Sequence, residues 1–439
     1  MDLSKQITAT VVKQDDGKLN VFIGNGQPLV VGFQPYGLTT TTSPTDQSRI
    51  EVAYSNNGKT VILGGNALTG GKLGGLLDFR SQTLDPAQNA LGRVAIGLAT
   101  TFNDQHRLGQ DQNGNLGGDF FTVGKPTVNA NTGNTGTGAL TASISDVSAL
   151  TTSDYRLKYD GTNYNVTRVS DGAVTSFATF PQSIDGVTFN LTGTPATGDD
   201  FLIRPTATGA TALGVSITDT SQIAAAAPII TSATVANLGT GSISAGSINS
   251  AYLASPLTAP VTLTYAAGTN ELTGFPATQP VTVTNNGTTT TFAAGAPVTY
   301  TAGATISFGG ISFTLSGAPA DTDTFAVGPN TGGVGDNRNA ILLGALQTAN
   351  TLVGGTANFQ GAFSQLVATI GNKTHELNVT SAAEGQTLIN QIQVQQSESG
   401  VNLDEEATNL LRYQQAYQAA GKVMQVASQL FDVLLTIGH

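Results

Sequence analysis

Cysteine is absent from the 439 residues, and charge is scarce: 18 Lys and Arg against 29 Asp and Glu, 11% of the chain, for a net charge of −11. Each shortage excludes something. Without cysteine there is no disulfide framework and no thiol chemistry, an absence that suits a protein exported unfolded. The charged share lies far below the ~25% of an average globular chain. No basic patch interrupts the acidic balance, so nucleic acid is excluded as a partner. No apolar run approaches the ~18 residues of a membrane helix, so no membrane insertion is expected. No basic segment followed by an apolar one opens the chain, and no Sec-type leader is predicted. Export would use another route, or the start is missing. The opening MDLSKQITATVVKQDDGKLN reads as a cut, with Leu3 to Val12 the tail of an element.

What is abundant is glycine, 53 residues, with Thr, Ala, Ser and Asn filling the middle. This composition suits β-rich domains with tight turns, working outside a cell. Three zones follow. Residues 1–124 open with hairpin signals at Asn25-Gly26 and Asn57-Gly58, pairs suited to type I′ turns. A helix then starts with Asp85 as N-cap and Pro86 at its first position, buries Leu84, Leu91, Val94, Leu98 and Phe102, and ends before Gly109. The zone 125–335 is strand-rich, with turns at Asp160-Gly161 and Asn286-Gly287. It contains a repeat: Phe189, Leu191, Gly193, Pro195, Asp199, Phe201 and Pro205 match Phe313, Leu315, Gly317, Pro319, Asp323, Phe325 and Pro329. Two copies are too few for a solenoid and predict two related β domains. The zone 336–439 returns to helix: a short one with Ile341, Leu342 and Leu346, then a long one with Phe363, Leu366, Ile370, Leu377, Leu388 and Ile392, broken at SGVN.

The end of the chain, LLRYQQAYQAAGKVMQVASQLFDVLLTIGH, carries two apolar stripes. Tyr413, Ala416, Ala420, Val423, Ala427, Leu430, Leu434 and Ile437 alternate at three and four residues. Leu410, Tyr417, Met424 and Phe431 recur every seven. Together they make a face too wide for a two-stranded seam. Asn402 is placed to cap, with Glu405 three residues on and Asp404 and Glu406 beside it at the positive end of the dipole. Such a face is expected to pack against several helices, some from other chains.

Candidate chemistry is sparse. Asp111, Asn113, Asn115 and Asp119 in DQNGNLGGD resemble an oxygen-rich cation loop, but no Glu closes position twelve and a plain turn is the expectation. His106 and Asp104 lie on the last helical turn, where a satisfied surface histidine is expected. His375 in THEL lacks the second histidine of a zinc helix, and His439 is terminal. No G-x-S-x-G or H-E-x-x-H occurs, so no enzyme, metal or cofactor is predicted. The glycine cluster at 131–138 lacks a phosphate loop's Lys-Ser/Thr and reads as a flexible loop. The acid pairs Asp199/Asp200 and Asp321/Asp323 fall in turn contexts and read as structural.

Residues 70–121, GGKLGGLLDFRSQTLDPAQNALGRVAIGLATTFNDQHRLGQDQNGNLGGDFF, resemble the central region of the flagellar hook-associated protein 1 family (FlgK). Residues 399–435 resemble the C-terminal region shared by flagellar axial proteins. YDGTNYNVTRVSDG and ITDTSQIAAAAP are also similar to that family. The resemblance implies an α+β fold: an elongated multi-domain rod with a helical or coiled-coil segment from the chain ends and two inserted β-rich lobes. It divides the chain into 1–124 plus 336–439, with an axial-core helix at 403–437, and lobes at 125–230 and 231–335. It also implies an extracellular structural role at the junction of hook and filament. The expected partners are further copies in a ring, the hook protein, the adjacent junction protein, and an export chaperone on the C-terminal helix. The family's N-terminal helices are absent and Met1 aligns with an interior position, so the terminal stripes await helices from elsewhere. A secreted adhesin or glycan-binding module, suggested by the Thr/Ser/Asn-rich middle, and a surface hydrolase are the alternatives.

Overall fold

A computed structural model describes residues 2–56, 59–64, 67–399 and 403–437. The fold is α+β and multi-domain. It divides into two compact units, Met1–Ile370 and Gly371–His439. Among the described residues no helix is long and apolar enough to cross a membrane.

The first unit holds three apolar cores. Around Ile7, Ile23, Tyr54, Leu63 and Leu68 lie a four-stranded antiparallel meander, Ala9 to Pro35, and a three-stranded sheet, Gly37 to Ile62. A second core contains Tyr155, Leu157, Val187, Phe189, Phe201 and Ile203, between a five-stranded and a three-stranded sheet, and Ile96 of the long helix reaches into it. The third, with Leu263, Phe313, Leu315, Phe325 and Val327, lies between a five-stranded and a six-stranded sheet. Strand alternation builds these cores. Ile311, Phe313 and Leu315 turn inward, while Ser312 and Thr314 turn outward. The outward side chains form cross-strand hydroxyl pairs: Ser307 with Ser312 at 2.8 Å, Thr284 with Thr289 at 2.9 Å, and in the other lobe Ser183 with Thr188 at 2.7 Å. Threonine stiffens an extended backbone and tolerates water, which suits it to that face.

The turns sort by their glycines. Asn286 and Gly287 take φ of 48° and 80°, the type I′ geometry expected of Asn-Gly. Asp160-Gly161 closes a four-residue loop in which Asp160 Oδ1 accepts from Thr162 and Asn163 N–H. Asn25-Gly26 is not a two-residue turn. Three residues join Leu19–Ile23 to Gln27–Val31, and the positive φ falls on Gly24 and Gly26. Gly24 lies so close to Ala67 O that no side chain fits, so the neighbouring chain sets this turn. Asn57-Gly58 lies outside the described residues.

The long helix departs from expectation at its start and in its buried face. Helix begins at Gly71, not Asp85, and runs through Gly71–Phe79, a π turn at Arg80–Leu84, and Asp85–Arg107. Pro86 has no N–H to give and its ring crowds the preceding turn; the widened turn before it keeps the helix continuous. Asp85 caps nothing and instead binds Arg49 through both carboxylate oxygens, at 2.7 and 2.8 Å. Apart from Ile96, the buried positions are small or polar: Asn89, Gly92, Ala95, Gly97, Ala99, Asn103 and His106. Of the expected stripe, Leu84 and Leu91 are exposed, and Val94, Leu98 and Phe102 are partly buried. At Gly92 the helix packs backbone to backbone against the Thr206 carbonyl, where no side chain has room.

Among the described residues, the other helices of eight or more residues are Arg338–Ala345, Phe359–Ser399 and Leu403–Ile437. Gly371 and Gly385 do not break the second. In the first, the buried residue is Asn339, while Ile341 and Leu342 face outward.

Candidate assembly surface

The terminal helix Leu403–Ile437 has 35 residues and an acidic first turn, Asp404, Glu405 and Glu406. Asn402, the expected cap, lies outside the described residues. At 1.5 Å per residue the helix is about 50 Å long. Both stripes are open: Tyr417 is 83% exposed, Ile437 77%, Tyr413 75%, Met424 74%, Leu410 70%. Val423, Leu430, Phe431 and Leu434 are also exposed, as are Ala416, Ala420 and Ala427. Leu411, Val426, Val433 and Leu435 add to the surface from other sides. A helix of this kind is marginal alone and gains stability when its apolar side chains are covered. Each Leu or Phe fully buried contributes about 1.5–3 kcal/mol.

The other candidate residues serve the scaffold. Asp111 Oδ1 accepts from Asn113 N–H at 2.9 Å and Asn115 N–H at 2.8 Å, closing a tight turn. Asp119 is drawn away into an ion pair with Arg107, which also binds Asp104 at 2.8 Å. Among the described residues no three His, Asp or Glu side chains converge on a metal position. His106 is not on the surface: its exposure is 0%. Its Nε2 accepts from Ala224 N–H at 2.9 Å, so Nδ1 carries the proton and donates to Gly118 O at 2.8 Å. It ties the end of the long helix to the segment that follows it, at Gly118, and to Ala224, distant in sequence. His375 lies on the exposed helix Phe359–Ser399, and His439 lies outside the described residues.

The repeated acids perform the same task in each lobe. Asp199 accepts backbone N–H from Thr135 (2.9 Å), Gly136 (3.1 Å) and Ala196 (2.9 Å). Asp323 accepts from Leu238 (2.8 Å), Gly239 (3.0 Å) and Ala320 (2.8 Å). Beside each, an asparagine exchanges two bonds with a strand backbone: Asn134 with Asp200, Asn237 with Thr324. The glycine cluster at 131–138 is therefore a pinned clasp and not a flexible loop. Its sequence mark is Asn-x-Gly-Thr-Gly, at 134–138 and again at 237–241, a part of the repeat that side-chain periodicity does not reveal. Asp200 is taken by Arg156, and Asp321 accepts from Ala267 N–H at 2.9 Å. Neither acid pair is free for hydrolysis.

These bonds set the acidity of the clasps. The Thr135 N–H, then those of Ala196 and Gly136, hold Asp199 below the usual carboxylate range against the opposing cost of burial. At Asp323 burial opposes ionisation most, yet the N–H groups of Ala320, Leu238 and Gly239 prevail and hold it, too, below the usual carboxylate range. A lowered folded-state value means that the clasp stabilises fully above the unfolded value of about 3.9 and is lost as pH falls through the folded one. Asp323→Asn, which turns an acceptor oxygen into a donor facing N–H groups, lowers the melting temperature of its lobe at pH 7 by about 5–10 °C. It also removes that lobe's share of acid sensitivity below about pH 4. Melting curves at pH 7 and pH 3, variant against parent, check both.

A second polar cluster joins the long helix to the first lobe. Arg49 binds Asp46 (3.0 Å) and Asp85, and Arg204 binds Asp46 (3.2 Å) and Asp154 (3.3 Å). Asn89 Nδ2 donates to Asp154 at 2.9 Å. Burial, the largest influence, pushes Asp154 above the usual carboxylate range against the opposing pull of Arg204 and Asn89. At Asp46 burial is overcome by the Ser48 hydrogen bonds and the charges of Arg49 and Arg204.

Comparison with known proteins follows the same divisions. Residues 1–121 match the family profile described as the flagellar hook-associated protein FlgK helical domain. Residues 129–205 match the D2-like domain of flagellar hook-associated protein 1, and 228–329 its D3 domain. Residues 388–437 match the flagellar basal body rod FlgEFG protein C-terminal family. Flagellar hook-associated protein 1 of Escherichia coli strain K12 is 31% identical over 440 residues, 99% of this chain and 62% of that protein. The protein of the same description from Salmonella typhimurium strain LT2 is 31% identical over 441 residues, again 99% and 62%. The solved structure of the flagellar hook junction protein FlgK from Burkholderia pseudomallei is 38% identical, with a TM-score of 0.84, over 91% of this chain and 76% of that one. The chain thus spans about 62% of the length of the curated relatives it matches.

Proposed function

Because this chain belongs to the flagellar hook-associated protein 1 family (FlgK), we propose that it is a structural component of the bacterial flagellum, joining hook to filament outside the cell. It works by assembly and not by catalysis. The observation that carries this reading is the terminal helix, whose two apolar stripes stand open along about 50 Å. A surface that wide is out of place on a lone chain and in place inside a packed tube of helices.

In this reading Leu410, Tyr413, Tyr417, Val423, Met424, Leu430, Phe431, Leu434 and Ile437, with Ala416, Ala420 and Ala427 as close-approach points, face helices of the axial core. Residues 1–124 with 336–439 form the part that continues into that core, and 125–230 and 231–335 are lobes set on it. The partners are further copies in a ring, the hook protein, and the adjacent junction protein. An export chaperone covers the same stripes before secretion, which keeps them from aggregating.

Location tests the reading. An epitope inserted at Asn286-Gly287, an exposed hairpin tip, in the whole protein should label one band where hook meets filament in electron micrographs of flagellated cells. Label spread over the cell body, or absent from hooks while the protein is secreted, refutes it.

A further inference from the structure

The seam between the long helix and the first lobe holds an uneven set of charges. Three carboxylates, Asp46, Asp85 and Asp154, meet two guanidiniums, Arg49 and Arg204. Arg93, one turn beyond Asn89, is pulled down by burial alone, with no acid acting on it. On the strands of the lobe, Arg156 is taken by Asp200 and Arg168 by Asp185. One negative charge is left over.

The surplus falls on Asp154. Asp46 receives Ser48 N–H, Ser48 Oγ, Arg49 and Arg204. Asp85 is gripped through both oxygens by Arg49. Asp154 has only Asn89 Nδ2 at 2.9 Å and Arg204 Nε at 3.3 Å, the latter long for a charge-assisted bond. Arg204 does not turn its fork onto this carboxylate, and its Nη2 is left without a partner. Asn89 is 3% exposed, and its Oδ1 is an acceptor that no donor reaches. A proton on Asp154 would remove the surplus charge and bring a donor to the side chain that this amide already touches. A cavity of about 640 Å³, with Arg49, Asp85, Asn89, Asp154 and Arg204 in its wall, gives the proton a route.

We infer that the closed seam binds a proton at Asp154, so that the first lobe grips the long helix more tightly in mildly acid water than at neutral pH. Burial, the strongest influence on this carboxyl, acts in the same direction and holds it above the ordinary range. A raised folded-state value means that the gain is complete below the unfolded value of about 3.9 and disappears as pH rises through the folded one. At Asp46 burial is outweighed by Ser48 and the two arginines, so its value moves down and its share is lost only as pH falls below about 4. The clasps at Asp199 and Asp323 share that lower window. The seam therefore tightens before the clasps weaken. Because it lies within one copy, its tightening does not depend on the junction reading.

Thr206 supplies the reporter. It is buried, its hydroxyl has no partner, and its carbonyl meets Gly92 across the seam. The chain has no cysteine, so Thr206→Cys gives the whole protein a single thiol. The rate of its reaction with a dipyridyl disulfide, divided by the rate in the urea-unfolded chain at the same pH, measures how often the seam opens. The expected result is a fall of about threefold in that ratio from pH 7 to pH 4.5, and no such fall when Asp154→Asn is added. A ratio that stays level, or rises as pH falls, refutes proton binding at the seam. A threefold fall that persists with Asp154→Asn refutes Asp154 as its site. If the asparagine amide crowds Arg204 and unfolds the lobe, Asp154→Ala takes its place: it removes the surplus charge without adding an N–H, and the pH dependence must vanish there too.

Discussion

Tyr417→Asp abolishes entry of the protein into flagella while both β lobes keep their melting temperature and secondary structure. Tyr417 lies midway along the terminal helix, 83% exposed, with Leu410 and Met424 one heptad to either side. In the free chain the substitution exchanges one exposed side chain for another, which costs the lobes nothing. In the proposed axial core it would place a carboxylate among packed apolar side chains. Burying an unpaired charge costs several kcal/mol, more than one aromatic side chain gains by burial. In the proposed ring the loss would repeat in every subunit, so retention should fall by orders of magnitude. Filament loss in a swimming assay, beside circular dichroism of the purified variant, separates the two effects. Normal motility with this variant sinks the assembly role of the helix. Phe431→Asp, two heptads on, should behave in the same way.

Gly92→Ala should be among the most damaging single-methyl changes in the first unit, at about 3 kcal/mol or more. Gly92 has ordinary helical geometry, so backbone freedom is not what glycine supplies there. Its value is contact: a methyl would run into the carbonyl oxygen of Thr206, with the backbone of Gly209 just beyond. Gly209 in turn faces the Gly92 carbonyl and the Ile96 side chain. Neither wall is a flexible side chain that could swing aside, so the lobe must move off the helix. That movement would stretch Arg204 from Asp46 and Asn89 from Asp154, whose bonds cross the same seam. Urea unfolding should show the first lobe loosening before the second. Gly75→Ala, with open space around it on the preceding helical segment, is the control that should change little.

How much of this was written in the residue order depends on where each partner lies. The terminal helix was legible because its signal is periodic and local to one segment. The repeat of Phe, Leu, Gly, Pro and Asp was legible because both copies use the same turn chemistry. The Asn286-Gly287 turn needed nothing but its own two residues. Asp85 misled because its local context, a Pro following an acid, favours a cap, while Arg49 captures it from a distant segment. Helix was already running from Gly71, and the π turn carried it past the proline. The apolar stripe at Leu84, Leu91, Val94, Leu98 and Phe102 misled for a related reason: a face that meets backbone selects small residues, and hydrophobic periodicity looks for large ones. His106 was out of reach because its burial depends on Ala224, far along the chain. The clasps were half legible. Asp199 and Asp323 could be placed in turns, but the N–H groups that they hold come from loops that read locally as mere flexibility.

The cross-strand hydroxyl pairs on the outer faces of the lobes have a consequence of their own. Many soluble sheets decorate that side with Lys and Glu, whose mutual attraction fades as ions accumulate around them. Ser307 with Ser312 and Thr284 with Thr289 offer dissolved ions nothing to screen. Those faces therefore keep the same pairing in fresh water as in brine.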